Sequence, residues 1–175
     1  MYEFIYYRVK DVMTPDPVAV KPDAALSDVE VIFEKHDFNG LPVVDESHRL
    51  IGMITKLDLL KAFTFTEKSK IPHYNAIMDQ KVSKVMTKDP CVVYPETPLT
   101  RVLQHMIDTG HKSFTVVEND VVVGIVARED IIRALRKAGQ AEIPARLIKP
   151  DMEGLLKPVN VVNRRETAFN WNYVE

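Results

Sequence analysis

The sequence predicts an α+β fold in which two similar units pack face to face about a pseudo-twofold axis. The first observation is a repeat, because VMTPDPVAVKPDAALSDV at residues 12–29 returns as VMTKDPCVVYPETPLTRV at residues 85–102, 73 positions later (85 − 12). The second is that the spacing of apolar residues predicts a helix, two strands and a second helix in the same order in both copies. The third is size, since a unit of about 50 residues buries too little apolar surface to be stable alone.

Each copy begins with an extended lead-in followed by a helix. Pro22-Asp23 and Pro95-Glu96 precede apolar residues spaced at helical intervals. The stripe comprises Leu26, Val29, Ile32 and Phe33 in the first copy and Leu99, Val102, Leu103, Met106 and Ile107 in the second.

A hairpin and a second helix complete each copy. GLPVVDESHRLIGMIT at residues 40–55 parallels SFTVVENDVVVGIVA at residues 113–127, with one residue fewer in the second turn. Two apolar runs around a polar turn indicate a hairpin. Apolar residues in 57–63 and 131–135 predict the closing helix, so each unit is βαββα once the lead-in is counted.

These patterns predict four segments of the chain. Residues 8–63 form the first unit, 64–80 a linker of part helix and part loop, 81–138 the second unit and 139–175 a C-terminal extension. Prolines and Gly154 in the extension predict irregular or short elements, yet its many apolar residues argue against a disordered C-terminus. We expect it to dock on its own module or on a second subunit, with a partner protein as the alternative.

Composition narrows the classes of function. A formal charge of −2, a pI near 6.2 and the lack of a Lys/Arg block argue against nucleic acid and membranes as partners. No signal peptide or apolar run of about 20 residues is seen. The single cysteine, Cys91, cannot form an intrachain disulfide, which indicates a cytoplasmic protein. The histidines lack metal-ligand spacing, and no nucleotide-hydrolase or nucleophile motif is present, so we expect no metal, no required cofactor and no enzyme activity.

The most informative polar residues open the closing helices. Thr55 and Asp58 fit an N-terminal capping box, and this structural role would suffice to explain them. A helix N-terminus with a hydroxyl can also bind phosphate, and a carboxylate can accept hydrogen bonds from ribose hydroxyls. In the second copy Asp130 is retained but Ala127 replaces the threonine, and Arg128 and Arg133 offer compensating cations or ordinary solvated charges.

The segment before each hairpin is the second candidate. Asn39, Gly40, Leu41 and Pro42 would let the backbone approach a flat base closely, or would merely form a strand-entry turn. The matching Lys112, Ser113, Phe114 and Thr115 lack Gly and Pro and provide a cation, hydroxyls and an aromatic ring.

Taken together, VMT-x-DP, GLPVVD and GMITKLDLL, each with a counterpart in the second copy, resemble the tandem CBS (cystathionine-β-synthase-type) domain pair, or Bateman module. The resemblance covers about residues 9–138 and implies a non-catalytic regulatory module that binds AMP, ADP, ATP or S-adenosylmethionine. It also implies a homodimer and an effector protein as partners.

The resemblance further implies that the Thr/Asp helix of one copy faces the base-binding segment of the other. One pocket then combines Met53, Thr55 and Asp58 with Pro90, Cys91, Lys112, Ser113, Phe114 and Thr115. The second combines Ile125, Ala127, Arg128 and Asp130 with Thr14, Val18, Asn39, Gly40, Leu41 and Pro42. We favour the first pocket, because its hydroxyl and carboxylate are both intact.

Two functions other than a ligand-binding regulatory module are considered. The protein could be a structural or interaction module with vestigial clefts that acts through its C-terminal extension, and the departures at Ala127 and at residues 112–115 favour this alternative. A nucleotide hydrolase using Asp58 or Asp130 would need a positioned second group for acid–base catalysis, and the sequence nominates none.

Overall fold

The computed structural model describes residues 2–64 and 73–140. The strands are β1 (Thr14–Pro15), β2 (Gly40–Val44), β3 (Leu50–Thr55), β4 (Val92–Val93), β5 (Ser113–Glu118) and β6 (Val121–Ala127). The α-helices are α1 (Leu26–Lys35), α2 (Lys56–Ala62), α3 (Tyr74–Met78), α4 (Leu99–Thr109) and α5 (Arg128–Gln140). Short 3-10 helices span Tyr2–Tyr6, Val9–Asp11 and Val82–Lys84.

Each copy is built on an antiparallel hairpin, β2–β3 in the first and β5–β6 in the second. In the second copy β4 runs parallel to β5, with Val93 opposite Val116. The first copy repeats this contact as a parallel bridge between Val20 and Val43. The predicted α+β fold of two βαββα units is therefore confirmed, and the hairpins lie where the alternating apolar runs indicated.

The lead-ins of the two copies cross over. Strand β1, which belongs to the first copy in sequence, pairs with β6 of the second copy, with Thr14 opposite Ile125. The equivalent Thr87 pairs with Met53 on β3 of the first copy. Each unit in space is thus completed by a lead-in from the other unit in sequence, through the strand β1 in one case and through a single bridge at Thr87 in the other.

Two glycines make these crossings possible. A Cβ on Gly52 would lie 2.6 Å from the Sδ of Met86 and 3.0 Å from the carbonyl oxygen of Thr87. A Cβ on Gly124 would lie 2.6 Å from the Sδ of Met13 and 3.1 Å from the Thr14 carbonyl oxygen. The methionine that opens each lead-in therefore packs directly on a hairpin glycine of the other copy, as core filler of the kind expected from a flexible thioether.

The hydrophobic cores follow the crossed arrangement. Val9, from the first lead-in, is fully buried in the core formed by α4, α5 and the β5–β6 hairpin. Val82, from the second lead-in, is fully buried among α1 and the β2–β3 hairpin. A third, small cluster of Val44, Val117 and Val122 lies between the hairpin tips, where Arg49 bridges Val121. Burial thus holds the copies together along their whole seam.

The structural repeat of the two copies begins before residues 12 and 85, where the sequence repeat becomes recognisable. Phe4 of the first 3-10 helix is buried against the second copy, and Ile77 of α3 is buried against the first. These residues are 73 positions apart (77 − 4). Part of the predicted linker is therefore the start of the second lead-in. The predicted domain boundaries stay a prediction. The middle of the linker (65–72) and residues 141–175 of the extension lie outside the described residues.

None of the described helices is long and apolar enough to cross a membrane.

Candidate functional site

Asp58 occupies a buried position at the start of α2. Its Oδ2 accepts hydrogen bonds from the Thr55 backbone amide at 3.0 Å and from the Thr55 hydroxyl at 2.7 Å, and the Asp58 amide donates back to that hydroxyl at 3.2 Å. Its Oδ1 lies 3.2 Å from the Lys61 ammonium. The capping box is therefore present, and it holds the carboxylate in one orientation at the helix N-terminus.

Asp130 repeats this geometry in the second copy without the hydroxyl. Its Oδ2 accepts a 2.9 Å hydrogen bond from the Ala127 amide, and its Oδ1 lies 3.5 Å from the guanidinium of Arg133. The carboxylate is 7% exposed. The Asp58 Oδ2 already accepts two hydrogen bonds, but the Asp58 Oδ1 and both oxygens of Asp130 keep a further lone pair, so both aspartates can accept an additional hydrogen bond without leaving their helix caps.

A cavity of about 210 Å³ adjoins Asp130. Its wall includes residues of the crossed lead-in and two cations of α5, and it is lined by Tyr7, Asp11, Val12, Asp130, Arg133, Ala134 and Lys137. Sequence reasoning missed Tyr7, Asp11 and Val12, because their approach to Asp130 depends on the crossing of the lead-ins. Arg133 had been named from the sequence as a possible cation of this site, and the i+7 spacing of Lys137 from Asp130 could have identified that residue as well.

Parts of both predicted pockets come together at the seam. The hydroxyl of Thr115, which is fully buried, lies 3.8 Å from the Sδ of Met53 in the other copy. In the second predicted pocket, Thr14 and Ile125 are neighbours in the sheet. Met53 and Thr115, which the resemblance assigns to one pocket, are thus in contact at the seam, and their part in binding a ligand stays a prediction.

The largest of the described clefts lies nearer the hairpin tips and measures about 470 Å³. Of the predicted residues it contains Pro90. The others are three aspartates, an arginine, a tyrosine and apolar residues, namely Asp45, Asp89, Asp120, Arg49, Tyr94, Leu50, Ile51, Val92 and Val117. A hydrogen bond from the Arg49 amide, followed by one from Ser47, lowers the pKa of Asp45 and keeps its carboxylate charged.

Two predicted residues face away from the seam. Phe114 is 1% exposed and packs in the core of the second copy, where its ring lies 5.5 Å from that of His111. Leu41 is 1% exposed in the core of the first copy. Alternation along a strand sends the side chains of Phe114 and Leu41 into the core of their own copy while Thr115 and Pro42 face the seam, so neither the ring nor the isobutyl group lines one of the described clefts.

The remaining predicted residues serve local structure in ways that the sequence could not resolve. The Arg128 guanidinium donates to the carbonyl oxygens of His111 and Gly110, and the Arg128 amide donates to that of Lys112. This ties Arg128 to its own copy and weakens its role as a phosphate ligand. The Asn39 carbonyl accepts from the Lys56 amide in the equivalent way. Val18 and Cys91 are exposed, Gly40 is buried, and Ser113 is half-buried.

The two aspartates and their neighbouring cations can form hydrogen bonds and ion pairs with a polar ligand. Within the described ranges there is no group of three His, Cys, Asp or Glu side chains placed to hold a metal ion. Asp58 and Asp130 each lie beside a cation and at a helix N-terminus. This geometry keeps the carboxylates in place to accept hydrogen bonds from the hydroxyl groups of a ligand.

Comparison with known proteins identifies the family. A family model described as the CBS domain matches residues 9–64 and 82–137. An uncharacterized 17.7 kDa protein of Acidianus ambivalens is 30% identical over 129 residues, which are 73% of either chain. CBSX1, a chloroplastic CBS domain-containing protein of Arabidopsis thaliana, is 28% identical over 73% of this chain and 64% of its own length. An L-aspartate semialdehyde sulfurtransferase of Methanocaldococcus jannaschii is 29% identical, but the match spans 22% of that enzyme.

Solved structures agree with the fold. CBSX2 in complex with AMP superposes with a TM-score of 0.67 at 28% identity, over 77% of this chain and 99% of that chain. The CBS domain pair of protein MJ0100, in complex with 5′-methylthioadenosine and S-adenosyl-L-methionine, gives 0.62 at 28% identity over 75% and 98%. Because the family model matches a segment in each half and the structure has one hairpin per copy with crossed lead-ins, the chain belongs to the CBS domain family and contains a tandem CBS pair.

Proposed function

We propose that the protein is a non-catalytic regulatory module that binds an adenosine ligand, either AMP, ADP or ATP or S-adenosylmethionine, between its two CBS copies. The observation that carries this proposal is the geometry at Asp130. A buried carboxylate, fixed by a backbone amide, adjoins a cavity whose opposite wall belongs to the other copy. A ligand there contacts both the second copy and the lead-in that enters it from the first copy, so it can bias the arrangement of these two segments if it binds two arrangements with different affinity.

The chemistry of this site fits a nucleoside. The free lone pairs of the Asp130 carboxylate can accept hydrogen bonds from ribose hydroxyls, and Arg133 and Lys137 supply positive charge for a phosphate or carboxylate group. The same layout at Asp58 adds the Thr55 hydroxyl and Lys61. The preference for the Thr55/Asp58 pocket stays a prediction from the sequence, and the Asp130 cavity is the site whose geometry supports the proposal.

The relatives support the ligand class. The structure of CBSX2 contains AMP, and that of the MJ0100 pair contains 5′-methylthioadenosine and S-adenosyl-L-methionine. All three share an adenosine group. The expected cytoplasmic location stays a prediction, because CBSX1 is chloroplastic.

Calorimetric titration of the full chain with AMP, ATP and S-adenosylmethionine tests the proposal. Asp58→Asn and Asp130→Asn retain an oxygen for the helix cap but lose the charge, so each is expected to weaken binding at its own cleft by about tenfold or more. Asp28→Asn is the matched control, because Asp28 caps α1 through the Ala25 amide at 3.1 Å and lies outside the described cleft linings. The absence of heat with all three ligands at millimolar concentration would retire the proposal.

A structural or interaction module with vestigial clefts is the second candidate. It is favoured by Ala127, which removes a hydroxyl, and by Arg128, whose guanidinium is used within its own copy. This candidate predicts that AMP does not shift the melting temperature of the wild type, of Asp58→Asn or of Asp130→Asn, and that neither substitution changes any binding to a partner protein. The two functions are thus separated by the same pair of variants.

A further inference from the structure

The cleft at the hairpin tips is separate from the aspartates of the proposed adenosine sites. Its volume of about 470 Å³ lies within the range of small-molecule sites, roughly 300–1,000 Å³. Its lining contains neither Thr55, Asp58 nor Asp130. One wall includes Arg49 of the first copy and the other includes Asp120 of the second copy. A ligand in this cleft would therefore contact both copies at a place that the proposed function leaves unused.

The lining of this cleft combines apolar side chains with negative charge. Its aliphatic residues are buried or half-buried, namely Leu50, Ile51, Val92 and Val117. The charged residues Arg49, Asp89 and Asp120 are exposed, and Asp45 is half-buried. Three carboxylates and one guanidinium give the lining a formal charge of −2 (+1 − 3). The cleft therefore favours a cationic ligand that also has an apolar part.

The carboxylates of the cleft are not neutralised by a cation of the chain. Among the described residues, the side chains of Asp89 and Asp120 form no hydrogen bond and no ion pair. The guanidinium of Arg49 likewise forms no ion pair with a described carboxylate. In Asp45, Oδ1 accepts the Ser47 and Arg49 backbone amides, at 2.8 and 2.9 Å, and Oδ2 stays free. All three carboxylates can thus pair with a ligand.

The first copy provides its own ammonium at the place where the second copy has an aromatic ring. Lys21 stands 73 positions before Tyr94 (94 − 21), at the equivalent position of the repeat. The Lys21 ammonium donates to the Asp45 carbonyl oxygen at 2.7 Å and lies 3.5 Å from the Glu46 carboxylate. Tyr94 lines the cleft and is 59% exposed. Because the face of an aromatic ring attracts cations, Tyr94 can hold an ammonium supplied by a ligand.

We propose that this cleft binds an aliphatic polyamine. Its ammonium groups pair with Asp89 and Asp120 and pack on the ring of Tyr94, while its methylene groups cover the aliphatic part of the lining. Within the described residues no three His, Cys, Asp or Glu side chains are placed to hold one metal ion. Carboxylates that do not converge on one point favour a ligand whose positive charges are spread along a chain. The proposal does not depend on the adenosine sites.

Calorimetric titration of the full chain with spermidine tests the proposal. Asp89→Asn combined with Asp120→Asn is expected to weaken binding about 2- to 30-fold, because two exposed ion pairs are lost. The control combines Asp16→Asn with Asp23→Asn, which removes the same charge outside the described cleft linings. Asp16 matches Asp89 in the repeat (89 − 16 = 73) and in its left-handed backbone, with φ of 46° against 51°. Equal weakening in both double variants, or no heat with millimolar spermidine, would overturn the proposal.

Two further titrations separate a polyamine site from a site for any cation. Tyr94→Leu is expected to weaken spermidine binding about two- to fivefold while Tyr94→Phe binds like the wild type, because the contact requires a ring. Equal affinities for the two variants would contradict the role of the ring. Magnesium chloride and sodium chloride of equal ionic strength should give the same spermidine Kd to within about twofold. A Kd weaker by about tenfold in magnesium chloride would overturn the proposal by indicating a site for any cation.

Discussion

Replacing Gly52 with alanine is expected to destabilise the whole module through the crossed lead-in. The new Cβ would lie 2.6 Å from the Met86 Sδ, where comfortable contact begins at about 3.5 Å, so the thioether must retreat by about an ångström. The Thr87 carbonyl oxygen, at 3.0 Å, blocks part of the backbone adjustment. Overpacking of this kind costs about 1–3 kcal/mol, or roughly 5- to 150-fold in the unfolding equilibrium.

Urea denaturation of the full chain measures this free energy of unfolding. Gly124→Ala should cost a similar amount, since its Cβ meets Met13 and Thr14 at nearly the same distances. Gly139→Ala is the matched control, because nothing lies within 4 Å of its Cβ and alanine in a helix is favoured over glycine by about 0.5–1 kcal/mol.

A double variant tests whether the methionine causes the loss. Met86→Ala removes the clashing thioether, so Gly52→Ala combined with Met86→Ala should cost about 1 kcal/mol less than the sum of the single variants. Strictly additive costs, or a Gly52→Ala protein as stable as the wild type, would show that the lead-in does not depend on close approach to the hairpin glycine.

Two further predictions concern single hydrogen-bonded groups. Thr55→Ala should lower stability by about 1 kcal/mol through loss of the α2 cap while Thr55→Ser retains it, and equal melting temperatures for the two variants would refute the capping role. The hydrogen bond from the Tyr74 hydroxyl to Glu30 raises the pKa of Tyr74 above 10.0. Its contribution is therefore present below pH 10 and lost as the pH rises through the folded-state pKa, so the stability difference between wild type and Tyr74→Phe should shrink there. An ultraviolet titration in which tyrosinate forms at the ordinary pKa would contradict this.

The buried aspartates show why the candidate site was only partly readable from the sequence. Thr55 and Asp58 were identified because a capping box depends on residues three apart, which is a local property of the chain. Tyr7 and Asp11 were missed because they reach Asp130 through a crossing of chain segments more than 100 residues apart, and no local pattern encodes that approach. Phe114 was assigned to a cleft, but its strand alternation places the ring in the core.

The sequence by itself determined the duplication, the order of elements in each copy and the capping box of Thr55 and Asp58, because periodicity and short-range hydrogen bonding are local. Only the tertiary structure decided that each copy borrows its lead-in from the other, that Met86 packs on Gly52, and that Tyr7 and Asp11 line a cavity beside Asp130. Those features arise from contacts between residues distant in the chain, whose free energy depends on burial and close packing in three dimensions rather than on neighbouring residues.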